Sequence, residues 1–70
     1  MKVYIAQYRR ERSQIPDTVS VHPSLDSAQR SMGEIWGSEI SWVARGDLWE
    51  PVEKSIRIPV TRITLHYVQS

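Results

Sequence analysis

The sequence has no cysteine and only two histidines, His22 and His66. Disulfides and thiolate metal sites are thereby excluded, and two histidines are too few for a structural zinc centre. The lack of cysteine suits a reducing cytoplasm. Long apolar runs are also missing. The apolar part of MKVYIAQYRR ends at Ala6, whereas a secretory core needs roughly 7–15 apolar residues and a membrane helix about 20. These absences predict a soluble, cytoplasmic chain with no metal, no cofactor and no membrane partner.

Charge of one sign is scarce as well. Nine basic and eight acidic residues leave a net charge of +1, too little to draw nucleic acid by itself. The basic groups concentrate early, in YRRER, and the acidic ones late, at Glu34, Glu39, Asp47, Glu50 and Glu53. Such mild polarity steers docking more than it specifies a ligand. What the chain does have is three tryptophans and three tyrosines in 70 residues. A domain this short buries only about 60% of its unfolded surface, so dense aromatic material must do much of the packing.

The chain reads as one domain over residues 1–70, without repeat or linker. In KVYIAQY, Val3 and Ile5 alternate with Tyr4, Ala6 and Tyr8, a strand pattern that is apolar on both faces and so predicts a central strand. RRERSQIPD is polar and turn-rich, a flexible loop at about 9–17. TVSV is a short strand, antiparallel to the first. Residues 24–36 carry the one helix. Ser24 is its cap, Asp26 complements the positive end of its dipole, and Leu25, Ala28, Met32, Ile35 and Trp36 form its apolar stripe. Gly37 stands at the left-handed C-cap position, and Gly33 invites close approach to the sheet. ISWVARGDLWEPV is a hairpin. A loop at Arg45-Gly46 or at Gly46-Asp47 keeps Trp42 and Trp49 on one face; a three-residue loop splits them. One of these two indoles is expected in the core and the other at least half exposed, and Trp36 is expected in the core. Pro59 lacks a ladder donor, which predicts irregular chain at 56–60 and a regular strand at about 62–68. The fold class is thus α+β, one helix on an antiparallel sheet of three to five strands in the order β-(β)-α-β-β-β.

Chemistry is sparse. His22 has Asp17, Asp26, Ser20, Ser24 and Ser27 nearby in sequence, but a triad is a geometry with an oxyanion hole, not a composition. It reads as an exposed histidine in the strand-to-helix connection, and His66 as one on the polar face of the last strand. So short a chain also struggles to enclose a pocket of ~300 Å³. The tripeptide Arg45-Gly46-Asp47 reads as turn chemistry. No catalytic residue is expected, and the chain is expected not to be an enzyme. Binding is the better prospect. Arg9, Arg10 and Arg12 present guanidinium forks, with Tyr4, Tyr8 and Trp49 as apolar anchors. A negatively charged protein surface fits this set. Single-stranded nucleic acid, stacked on the tyrosines, is the alternative. A third reading is a homodimer that pairs an exposed strand edge, so the chain is either monomer or homodimer.

KVYIAQY, the polar loop and DTVSVHPSLDSAQRSM together resemble the β-loop-β-α openings of small phage and mobile-element proteins. Val21, Ser24 and Ala28 match their Val-x-x-Ser/Thr-x-x-x-Ala entry into the helix, and GDLWEPV and RITLHYV resemble their hairpin and closing strand. The resemblance includes inhibitors of the anti-CRISPR type, and it implies a protein that occludes a surface of a host defence or nucleic-acid-processing complex. The chain lacks the marked acidity of those members that mimic DNA.

Overall fold

The computed structural model describes residues 1–12, 17–55 and 57–69. The elements run β1 (Lys2–Arg9), β2 (Thr18–His22), α1 (Leu25–Trp36), β3 (Trp42–Arg45), β4 (Leu48–Pro51) and β5 (Val60–Tyr67). The five strands form one sheet in the order β2-β1-β5-β4-β3, and every neighbouring pair is antiparallel. The fold is α+β. β1 is paired on both sides, as its doubly apolar pattern predicts. After β2 the chain must reach the opposite edge of the sheet, and α1 makes that crossing.

Local chemistry sets the helix ends. The Ser24 hydroxyl accepts from the Ser27 backbone N–H at 3.1 Å, which satisfies one of the donors a helix start leaves open. Gly37 ends the helix at φ 75° and donates its N–H to the Gly33 carbonyl at 2.9 Å. Gly33 does not serve close packing against the sheet, contrary to the sequence expectation. A Cβ built there meets only the Ser38 carbonyl oxygen, at 3.5 Å, an ordinary contact.

The strand registers define two faces. On one, Ser20, Ala6, Ile63, Trp49 and Ala44 line up across all five strands. This row meets the helix: Ala6 and Ile63 are sealed with Ala28 and Met32 from α1. Ile58, just ahead of β5, is also buried. So small a set of sealed residues leaves the perimeter to Tyr4, Tyr8, Leu25, Ile35, Ile40, Trp42 and Trp49, which pack around it half-buried. The helix backbone approaches β1, β2 and β5 but not β3 or β4. The two indoles fill the flank that α1 leaves open.

The hairpin register is now fixed. Arg45 pairs with Leu48, so Gly46 and Asp47 form a two-residue turn. Gly46 takes φ 61°, the positive angle that a tight hairpin needs at its first central position. Trp42 and Trp49 therefore share the helix-side face. The expectation of one core indole and one largely exposed indole is corrected: both are half-buried. Trp36 is half-buried too, outside the central cluster, and its indole N–H donates to the Thr61 hydroxyl at 3.1 Å.

The predicted loop at 9–17 is tied at both described ends. Arg9 is the last residue of β1, and the Glu11 N–H donates to the Arg57 carbonyl at 2.8 Å. Asp17 is held by Gln7 and Arg9. Residues 13–16, the centre of that loop, lie outside the described residues, as does Ile56 in the irregular stretch predicted ahead of the last strand.

Candidate functional site: the uncovered sheet face

Among the described residues, the second face of the sheet carries no helix. Val21, Ile5, Thr64, Leu48 and Arg45 form a row across all five strands. Beside it run Val19, Gln7 and Arg62. Val19 and Val21 are 55% and 63% exposed, although valine is a residue type normally turned inward. This face is apolar along the β2 edge and at Ile5 and Leu48, polar on the central strand at Arg62, Thr64 and His66, and charged at Arg9, Arg45 and Glu50.

One polar cluster organises its corner. The Asp17 carboxylate accepts from the Gln7 side-chain amide and the Arg9 guanidinium. The Gln7 hydrogen bond, then that of Arg9, holds its pKa below the usual carboxylate value, and the positive charges of Arg9 and Arg62 add to the effect. Asp17 thus fixes Arg9 against the sheet, while the Arg9 side chain stays half exposed at 51%.

The six residues singled out for binding do not form one surface. Arg9 lies on the uncovered face. Tyr4, Tyr8 and Trp49 have the opposite parity and pack around the core on the helix side. Arg10 has its guanidinium carbon 5.9 Å from the centroid of the Tyr8 ring. Arg12 is exposed in the turn after β1, at φ 61°. Sequence reading missed Val19, Val21, Ile5 and Leu48. The available signal was parity: if TVSV pairs with KVYIAQY, their alternate residues share a side.

His22 is not a loop residue, as expected, but the last residue of β2, and it is half-buried. Its Nε2 lies 2.8 Å from the Ser20 hydroxyl and its Nδ1 3.1 Å from the Ser27 hydroxyl. Both ring nitrogens are therefore engaged by hydroxyls, with no carboxylate in the set. The same strand spacing recurs at His66, exposed on the uncovered face, whose Nε2 is 2.8 Å from the Thr64 hydroxyl.

Two of the hollows in the described structure open to solvent beside α1. One, about 340 Å³, lies between the end of α1 and the approach to β5, and carries both charge signs: Glu50 and Glu53 against Lys54 and Arg62. The other, about 600 Å³, runs between α1 and Trp42. Both are open rather than enclosed. Among the described residues, no group of three or more metal-ligating side chains comes together, and no helix is long and apolar enough to cross a membrane.

Comparison of the chain with protein-family models, with curated proteins and with solved structures finds no match.

Proposed function

We propose that this chain is a non-enzymatic protein-binding module that docks a partner on the uncovered face of its sheet. The observation that carries this reading is the row Val21–Ile5–Thr64–Leu48–Arg45, which spans five strands with no helix above it among the described residues. Exposed valines beside half-buried Ile5 and Leu48, set among polar and charged groups, have the mixed character of a protein interface. Arg9 is paired with Asp17, and Arg62 and Arg45 on the same face supply positive charge. A partner with acidic groups around an apolar patch fits best. In its finer form the reading is that of an inhibitor that occludes a surface of a host defence or nucleic-acid-processing complex in the cytoplasm; the resemblance to small phage-encoded inhibitors supports it.

The alternative, single-stranded nucleic acid, needs bases stacked beside the arginines. Arg10 does lie beside Tyr8, 5.9 Å from its ring, but Arg9 is on the far side of the sheet from Tyr4 and Tyr8, so arginines and tyrosines do not line one continuous track, which favours a protein partner.

The test is affinity capture from the native host, using wild type, a Thr64→Lys face variant and a Gln29→Lys helix variant as baits. The face variant is expected to lose the captured complex and the helix variant to keep it. Equal capture by all three removes the assignment. Binding of single-stranded DNA that falls steeply with salt replaces it with the alternative.

A further inference from the structure

Among the described residues β2 is an edge strand of the sheet, and its own residues carry neither charge nor proline nor a bulge. Natural edges are blunted by charge, proline or a bulge. Thr18–His22 has no charged residue and no proline, and it pairs with β1 in unbroken one-to-one register. Its two valines are the exposed ones already described. The opposite edge, β3, spans only Trp42–Arg45 and ends in exposed Arg45.

The β2 sequence Thr-Val-Ser-Val-His is also near-symmetric about Ser20. We propose that β2 pairs antiparallel with β2 of a second copy of this chain, on a two-fold axis at Ser20. In that register each Val19 faces the Val21 of the other copy on the uncovered side, and Thr18 faces His22 on the helix side. A C2 contact of this kind is isologous and needs only one self-complementary strand. Charge selects the direction. Antiparallel pairing sets Asp17 opposite Pro23 and keeps the two Asp17 carboxylates six residues apart, roughly 20 Å at strand rise. Parallel pairing sets them side by side. The occupant is thereby a second copy in antiparallel sense, and the product is a continuous ten-stranded sheet.

The paired edge is only five residues long, below the size of a stable standard interface. The association is therefore weak and concentration-dependent. It joins two copies of the uncovered face into one surface, so any ligand with two matching sites gains from effective concentration. The proposal does not depend on what that face binds.

Because the chain has no cysteine, crosslinking tests the register directly. Val19→Cys and Val21→Cys chains are purified separately and checked for native far-UV circular dichroism. Mixed and mildly oxidised, they form a disulfide-linked heterodimer, while Val21→Cys alone crosslinks at least tenfold more slowly. The diagonal separation in the second case exceeds the ~7 Å limit for a disulfide between Cα atoms. Sedimentation velocity of wild type from micromolar to millimolar concentration shows a monomer–dimer equilibrium, and Val21→Lys weakens it at least tenfold. A wild-type chain that stays monomeric throughout overturns the proposal. So does a dimer indifferent to Val21→Lys, or crosslinking that is equal in both mixtures.

Discussion

The ring of Tyr4 lies 5.7 Å from that of Trp49, tilted by 59°. The two residues stand on β1 and β4, with β5 between them, where Leu65 and Ile63 are their respective neighbours. The contact thus spans three strands and bridges the helix-covered centre of the sheet to its open flank. Tilted aromatic pairs at this distance contribute about 0.5–1.5 kcal/mol beyond their area. A double-mutant cycle with Tyr4→Leu and Trp49→Leu, read by urea unfolding, is expected to return a coupling in that range. Additive losses would mean that the rings act only as independent filler.

The same pair shows where sequence reading stops. The helix was legible because its cues are local: a capping serine, a stripe at helical spacing and a terminal glycine. The strands were legible from alternation, and β2 from its short apolar–polar run. The position of the indoles was not. It depends on a hairpin register that several loops satisfy and on the sheet order, which leaves β3 and β4 beyond the reach of α1. Burial of Trp42 and Trp49 is therefore a property of topology rather than of their own stretch. The candidate site failed to appear for a related reason. Arginine and aromatic residue types pointed to binding, but strand parity sends Arg9 to one face and Tyr8, its neighbour, to the other. The apolar part of the uncovered face comes from valines, Ile5 and Leu48, which carry no chemical signature in sequence.

Asp17 makes stability depend on pH in a defined direction. Its folded-state pKa is depressed by the hydrogen bonds from Gln7 and Arg9. A depressed carboxylate contributes stability that is complete above the unfolded value, near 3.8, and is lost as pH falls through the lower folded value. Asp17→Asn is thus expected to be less stable than wild type at neutral pH. The difference should close in strong acid, where wild type is protonated too. Urea titrations at neutral pH and at a pH below the usual carboxylate range check this. A penalty of the same size at both would assign it to geometry rather than charge.

Gly33 and Gly37 are four residues apart and should respond oppositely to alanine. Gly33 is interior to α1, and an added Cβ there meets nothing closer than 3.5 Å. Gly33→Ala is expected to stabilise by about 0.5–1 kcal/mol, the helix-interior penalty of glycine. Gly37 holds φ 75°, where an L side chain costs about 1–2 kcal/mol. Gly37→Ala is expected to lose that much. Thermal melts of the two variants should move to either side of wild type.

The last turn of α1 is fastened to β5 by a two-bond relay. The Trp36 indole donates to the Thr61 hydroxyl at 3.1 Å, and that hydroxyl faces the Ile58 carbonyl at 3.4 Å. Thr61 is the buried polar residue of the described core. The two ends of the relay differ in what they leave behind. Trp36→Phe removes a donor, and the hydroxyl can still turn to the carbonyl. Thr61→Val keeps the shape but leaves the buried Ile58 carbonyl without this donor and the half-buried indole N–H without its acceptor. Removing one partner of a buried bond costs about 1–3 kcal/mol, against a net value of ~0.5–1.5 for the bond itself. Once the packing lost with the larger indole is taken out through the cycle, Thr61→Val is expected to be the costlier change in hydrogen bonding. The coupling between the two sites should fall near 1 kcal/mol. Equilibrium unfolding of both single variants and the double variant measures it, and a coupling of zero would show that α1 is held to β5 by packing alone.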